Sequence, residues 1–335
     1  MNSPRIKDEC HSMAQPPKLA NRKRAPRILR TLLMIGATLL ASCSTSQRQL
    51  SQDDTELRDI ANQRTISPAN LLEQLRHADV VLLGEQHDNP EHHRLQSWIA
   101  QELIARGRRI VVAFEMIDDG QAPLLDAFLA KRPRNAAELG GQLDWKRSGW
   151  PDWSANYQPI ADAALMQPNA PAKPILPANL PLAQARDIAR NGLAVAGLDP
   201  TLSELLRRAV VNDAAILAAH GDDIRESHCG MLPDSALAPF ALAQYARDAV
   251  MARAIQAARR ETPDAIVLLI AGNGHARKDV GVPLQLARLS PGLKVVSLGL
   301  IEGESAAEGA PFDYAWLTAP LVREDPCEAF RQAVR

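Results

Sequence analysis

Val81–Asp88 reads VLLGEQHD and Leu268–Asp279 reads LLIAGNGHARKD. Each begins as an apolar run and ends in Gly-x-x-His: Gly84 and His87 in the first, Gly272 and His275 in the second. An apolar run of about 4–8 residues closed by glycine is the pattern of a buried strand. The glycine lets the backbone turn sharply behind it. Two such units read as a duplicated strand–loop element. Runs at Val80–Leu83, Ile110–Phe114, Leu193–Leu198, Ile266–Ile270 and Lys294–Leu298 predict strands. Between them lie helical stretches. Asn89 caps a helix with Pro90 at its first position, Leu95, Trp98, Ile99 and Leu103 on one stripe, and an end at Arg106-Gly107. Further helices are expected at about 120–131, 181–191, 201–219 and 235–260. Alternating strands and helices give an α/β fold, a layered and largely parallel sheet flanked by helices. Prolines at 133, 151, 159, 168, 171, 174 and 177 make about 132–180 a smaller irregular or helical insertion.

Parallel sheets bind ligands beyond the carboxyl ends of their strands. Those ends carry Glu85 and His87 after the first run, Glu115 in Phe114-Glu115-Met116, and His275 after the Ile266–Ile270 run. Any one of these is ordinarily a surface or capping group. Four together suit acid–base catalysis or a divalent metal held by His87, Glu115 and His275. No Gly-x-x-x-x-Gly-Lys cradle for phosphate is present.

The chain has 13 aromatic residues, yet Trp145, Trp150, Trp153 and Tyr157 fall within WKRSGWPDWSANY. Such a cluster either grips a flat ligand or plugs an irregular loop. His228-Cys229-Gly230-Met231 follows the expected 201–219 helix; the absence of Cys-x-x-Cys-His excludes covalent haem attachment. His77, His92, His93 and His220 read as solvated. Gln244, Tyr245, Arg247, Asp248 and Met251 share a helix whose charges are satisfied by internal pairing.

Lys+Arg number 38 and Asp+Glu 39 in 335 residues, a balance that argues against nucleic acid as a partner. The ordinary 46% hydrophobic content excludes a mainly disordered chain and a polytopic membrane protein. Residues 1–42 hold eight of the bases and two of the acids, leaving 30 against 37 in the rest. The basic cluster Arg22–Arg30 precedes the uncharged TLLMIGATLLA of Thr31–Ala41, too short to span a bilayer. This is an export signal, and Leu40-Ala41-Ser42-Cys43 is a lipobox that makes Cys43 a lipidation site and mature N-terminus. Ser44 favours outer-membrane sorting, as a lipoprotein facing the periplasm or the cell surface. Polar residues 43–67 read as a tether and 68–335 as the folded domain. Cys229 and Cys327 remain, free to pair or not in an oxidising compartment.

With these residues in view, a resemblance emerges. GEQHDN at 84–89, FEM at 114–116, YQPI at 157–160, HCGMLP at 228–233, QYARDAVMA at 244–252 and GNGHARKDVGVP at 272–283 resemble the ChaN family of haem-binding lipoproteins. That family is linked to iron regulation and belongs to a superfamily with the Tiki proteases, TraB and the erythromycin esterases. The resemblance runs over about 68–303. It implies an α/β fold, a homodimer holding stacked haems between subunits, and a tyrosine axial ligand, for which Tyr157 is the best match. It also implies that the superfamily's hydrolytic residues map to His87, Glu115 and His275.

A non-covalent haem b needs an axial ligand, an apolar slot and bases for its propionates. Tyr157, His228 and Met231 are the expected ligands, Trp150 and Trp153 the walls, and Arg277, Lys278 and Arg147 the bases. Haem uptake, with an outer-membrane haem receptor as partner, is therefore the first expected function. A metal-dependent peptidase or esterase built on Glu85, His87, Glu115 and His275 is the second.

Overall fold

The computed structural model describes residues 56–335 apart from 196, 304–308, 326, 329–330 and 332–335. The expected signal segment and the Cys43 lipidation site lie outside the described residues. Among the described residues no helix is long and apolar enough to cross a membrane.

In chain order the elements are β1 (Glu56–Asp59), β2 (Arg64–Thr65), α1 (Pro68–Leu75), β3 (Val80–Glu85), α2 (Pro90–Ala105) and β4 (Arg109–Phe114). There follow α3 (Ala122–Ala130), α4 (Ala136–Gln142), α5 (Gln158–Met166), β5 (Ile175–Pro177), α6 (Leu182–Asn191), α7 (Pro200–Asn212) and α8 (Ala214–Ser227). The last are α9 (Asp234–Glu261), β6 (Ala265–Gly272), α10 (Asn273–Ala276), α11 (Val282–Leu289), β7 (Val295–Glu302) and β8 (Tyr314–Thr318). The eight strands form one sheet in the order β2-β1-β8-β7-β3-β6-β4-β5. All pairs from β8 to β5 are parallel; β1 is antiparallel to both β8 and β2. The fold is the expected α/β one.

Strands β3 and β6 are buried on both faces, which is why they read as unbroken apolar runs. Val80, Leu82, Val267 and Leu269 pack with Met251, Ile255 and Leu286 beneath α9 and α11. Their alternate neighbours point to the opposite face, covered by α2 and α5. The α2 start is as read: the Asn89 side chain accepts from the Glu91 N–H, and Gly107 closes the helix at φ +77°. The 28-residue α9 belongs to two layers. Its Ala241–Val250 half packs in a helical lobe with α6, α7 and α8, and its later half lies on the sheet.

Four expectations change. Residues 56–67, read as tether, contribute β1 and β2 to the sheet, because Glu56–Asp59 pairs with β8. The 132–180 stretch, expected as an irregular or helical insertion, holds α4 and α5 but also β5, and so completes the crossover from β4 to a strand parallel to it. Among the described residues of 193–198 there is no strand; Val195 and Leu198 pack into the helical lobe instead, and β4 takes β5 as its neighbour. The single helix over 201–219 breaks at Asp213, whose carboxylate accepts from Tyr245 (2.6 Å) and from Arg288 (2.6 and 2.7 Å).

Candidate functional site

Register brings the strand-end residues together. Gly84 pairs with Ala271, Glu85 with Gly272, and Phe114 with Ile270, so the loops after β3, β4 and β6 leave the sheet at one level. The two Gly-x-x-His loops lie side by side. A Cβ on Gly272 would sit 2.9 Å from His87 Nε2, and one on Gly84 would sit 2.4 Å from Asn273 Oδ1. Both positions need glycine for this close approach.

Glu85, His87, Glu115 and His275 form one polar centre. His87 Nδ1 donates to Glu85 Oε1 at 2.8 Å, and the Tyr157 hydroxyl donates to the same oxygen at 2.9 Å. His93 Nδ1 lies 3.2 Å from Glu85 Oε2, and its Nε2 donates to the His87 carbonyl at 2.8 Å. Glu115 Oε2 accepts the Gly272 N–H at 2.7 Å and faces His87 Nε2 at 3.9 Å. Glu115 Oε1 accepts from Arg247 and lies 3.4 Å from His275 Nε2. His275 Nδ1 donates to Asp248 Oδ1 at 2.6 Å, and Asp248 Oδ2 lies 3.4 Å from His220 Nε2. Arg247 also donates to Asn179 and Gln244, each at 3.1 Å. Of Glu85, His87, Glu115 and His275, His87 is the one that reaches the surface, with 34% of its side chain exposed beside Trp150, whose ring centroid is 4.8 Å away.

The charges lock one another. Burial acts to raise Glu85, but hydrogen bonds from His87 and His93 overcome it and hold the carboxyl at about 2. Burial also opposes ionisation of Glu115, yet the charges of His275, His87 and Arg247 keep it well below the usual carboxylate range. Burial acts to lower His275, and the charges of Glu115 and Asp248 outweigh it, raising the imidazole to about 9. His87 moves up in the same way, burial being outweighed by Glu115 and Glu85. His220, desolvated, goes down. Glu85, Glu115 and His275 are therefore ionised near neutrality, Glu115 facing an imidazolium and a guanidinium across the centre.

The expected metal site of His87, Glu115 and His275 gives way to this network. Among the described residues no group of three or more His, Cys, Asp and Glu is arranged to hold a metal ion. Glu85 Oε1 and both oxygens of Glu115 already accept hydrogen bonds from His87, Tyr157, Arg247 and the Gly272 N–H.

A cavity of about 620 Å³ opens between α6, α8 and α9, next to Arg247 and Gln244. Its walls include Ala185, Ala189, Ala243, Ile224 and Phe240, and its rim carries Arg186 and Arg190. These two arginines, one helical turn apart on α6, have no ion-pair partner among the described residues. His228 lines the cavity at the end of α8, its ring edge-on to Phe240 with centroids 6.1 Å apart. His228 Nδ1 donates to the Ile224 carbonyl at 2.8 Å, which fixes the orientation of the ring at the cavity wall.

A family model described as haem-binding uptake, Tiki superfamily, ChaN matches residues 71–286. The chain belongs to the ChaN family. Among solved structures it is similar to one titled "Cofacial heme binding to ChaN of Campylobacter jejuni", at TM-score 0.64 and 24% identity over 80% of this chain and 98% of that one. This likeness shows a shared fold. A mutant of the erythromycin esterase EreC in its open conformation aligns at TM-score 0.40 and 16% identity over 78% of this chain and 82% of that one. The type III effector HopBA1 aligns at TM-score 0.39 and 12% identity, over 74% and 91% respectively. No curated protein sequence matches the chain.

The ChaN-family fold rearranges the expected haem contacts. Tyr157 is fully buried, its hydroxyl committed to Glu85, and burial beside that carboxylate raises its pKa; it does not offer an oxygen to iron here. Trp153 is no cavity wall either: it is buried against Trp145 and Phe114, and its Nε1 donates to Ala136 O. Trp145, Trp153 and Tyr157 thus plug the crossover, while half-buried Trp150 covers His87. Arg277 is held by Asp223 and Asp279, and Lys278 by Asp313, so neither is a ready propionate partner. Arg147 stands exposed beside Trp150 on a neighbouring cavity. Met231 is on the surface. Cys229 and Cys327 form a disulfide.

His92, His93 and His220 are buried, not solvated. The stripe of Leu95, Ile99 and Leu103 extends back to His92 and was a readable signal. Asp248 was visible only as a charge on the buried side of α9. Arg186 and Arg190 recur in ARDIAR at the spacing of one helical turn.

Proposed function

We propose that this ChaN-family chain binds haem b non-covalently in haem and iron uptake. The cavity between α6, α8 and α9 carries the reading: an apolar slot of cofactor size, two arginines at its rim for the propionates, and a histidine, His228, in its wall. These are the parts a haem site requires. An affinity of ~1 μM needs only about 8 kcal/mol, within reach of one macrocycle buried with one axial bond. The leader and Cys43 support an outer-membrane lipoprotein that takes haem from a receptor in that membrane. Exposed Leu182, Leu193, Val210 and Val211 on α6, α7 and their connection support a homodimer.

Titrating ferric haem into the mature chain tests the reading. A Soret band should saturate, and His228→Ala should weaken binding at least tenfold and alter the ferric spectrum. A spectrum and affinity identical to wild type would remove His228 as the ligand.

Hydrolysis of an ester or peptide is the second reading, favoured by the Glu85–His87 pair, which orients an exposed imidazole. It ranks second because the family to which the chain belongs is described by haem-binding uptake. Turnover abolished by His87→Ala would reverse that order.

A further inference from the structure

We propose that the Cys229–Cys327 disulfide is a redox latch on the His228 cavity, and that its reduction by a dithiol lowers haem affinity. The proposal rests on the haem reading above and adds its regulation. Cys229 directly follows His228 and is joined to Cys327 across 98 positions of sequence. The α8 cap that positions His228 has an unfavourable backbone. Cys229 and Gly230 have φ +59° and +67°. Glycine adopts this left-handed region freely; a residue with a Cβ does not. Two hydrogen bonds close the cap, from Cys229 N–H to Glu226 O at 2.9 Å and from Gly230 N–H to Arg225 O at 2.8 Å. The bond to Cys327 is a covalent tertiary restraint on the strained residue.

The other end of that restraint is itself anchored. Arg323, four positions before Cys327, donates to Asp88 at 2.5 and 2.8 Å and to Glu302 at 2.5 and 2.6 Å. Asp88 follows His87. Four residues reach at most about 14 Å, so a short C-terminal connection pins the loop of the polar centre to the loop of the haem cavity. With the bond intact, the α8 cap is tied to the sheet through Arg323. Without it, Cys229 can leave the left-handed region, the cap frays, and His228 and the cavity wall at Phe240 lose their fixed relation.

Both cysteines are half-buried. One thiolate of the dithiol attacks a sulfur of the pair, forms a mixed disulfide and expels the other cysteine as a thiolate. The second thiol of the reductant, as its thiolate, then attacks the reductant sulfur of the mixed disulfide and expels the remaining protein cysteine. Two electrons and two protons pass to the protein, which gains two thiols, and the reductant leaves as its own disulfide.

The test is transfer of ferric haem from the full chain to apomyoglobin. Three forms are compared: oxidised wild type, wild type reduced with dithiothreitol then alkylated and freed of reductant, and Cys229→Ser/Cys327→Ser. Hydrogen exchange at residues 224–231 is followed in the haem-free proteins. The latch predicts at least tenfold faster release from both altered forms, and faster exchange at Cys229 and Gly230. Equal release rates overturn it, even where exchange rises; if His228→Ala still loses haem, the haem reading stands. Oxidised wild type that takes up no haem overturns the haem reading and the latch together.

Discussion

His275 should make this fold lose stability as the solution becomes alkaline. Its imidazole is buried between Glu115 Oε1 at 3.4 Å and Asp248 Oδ1 at 2.6 Å, and those carboxylates outweigh desolvation to raise it from 6.5 to about 9. A proton held that much more tightly in the folded chain than in the unfolded one is worth roughly 3 kcal/mol. Because the folded value lies above the unfolded one, this stabilisation is complete below about pH 6.5 and is lost as the pH rises through 9. His87, also raised, adds in the same direction. Glu85 gives the opposite limb. Lowered from 4.5 to about 2, it contributes a similar amount above pH 4.5, lost as the pH falls through 2. Urea denaturation of wild type and His275→Gln at half-unit steps from pH 6 to 10 isolates the imidazole, since lysines and tyrosines titrate alike in both. The difference in unfolding free energy should shrink by about 3 kcal/mol between pH 6.5 and 9.5. NMR titration of His275 Cε1 should give a midpoint near 9. A constant difference, or a midpoint at or below 6.5, would refute the ionised network.

Tyr157→Phe removes a hydrogen bond to a buried carboxylate and should cost about 1.5–3 kcal/mol in chemical denaturation while leaving the Soret spectrum unchanged; loss of the band would restore Tyr157 as a ligand. Gly272→Ala places a Cβ 2.9 Å from His87 Nε2, so the ring should be pushed from Glu115 and the His87 midpoint should fall, with about 1–3 kcal/mol of destabilisation. Cys43→Ser should leave a longer, unacylated precursor; equal acyl labelling of wild type and variant would discard the lipobox.

How much of this was legible follows from where each residue's environment comes from. Strands β3, β4 and β6 announce themselves because both of their faces are buried, so nearly every position must be apolar. Strands β1 and β2, ELRD and RT, carry no such pattern. They lie at the sheet's edge, and their backbone pairing with each other and with β8 makes them strands. Leu193–Leu198 has the apolar content of a strand for a different reason: a helical lobe, not a sheet, takes up Val195 and Leu198. The Pro-rich crossover hid β5, whose three residues include Pro177.

The site divides along the same line. The sequence by itself determined the two Gly-x-x-His loops, the strand-end carboxylates and the family, since each is a local run of residues whose chemistry is independent of what packs around it. Only the tertiary structure decided their roles. The pairing of β3 with β6 makes Glu85 and Gly272 neighbours. Burial directs the Tyr157 hydroxyl to a carboxylate rather than to a ligand. The crossing of α6, α8 and α9 sets arginines and His228 around one cavity. Sequence spacing cannot carry that information, because a side chain's pKa, partner and access to solvent are set by groups that reach it from elsewhere in the chain.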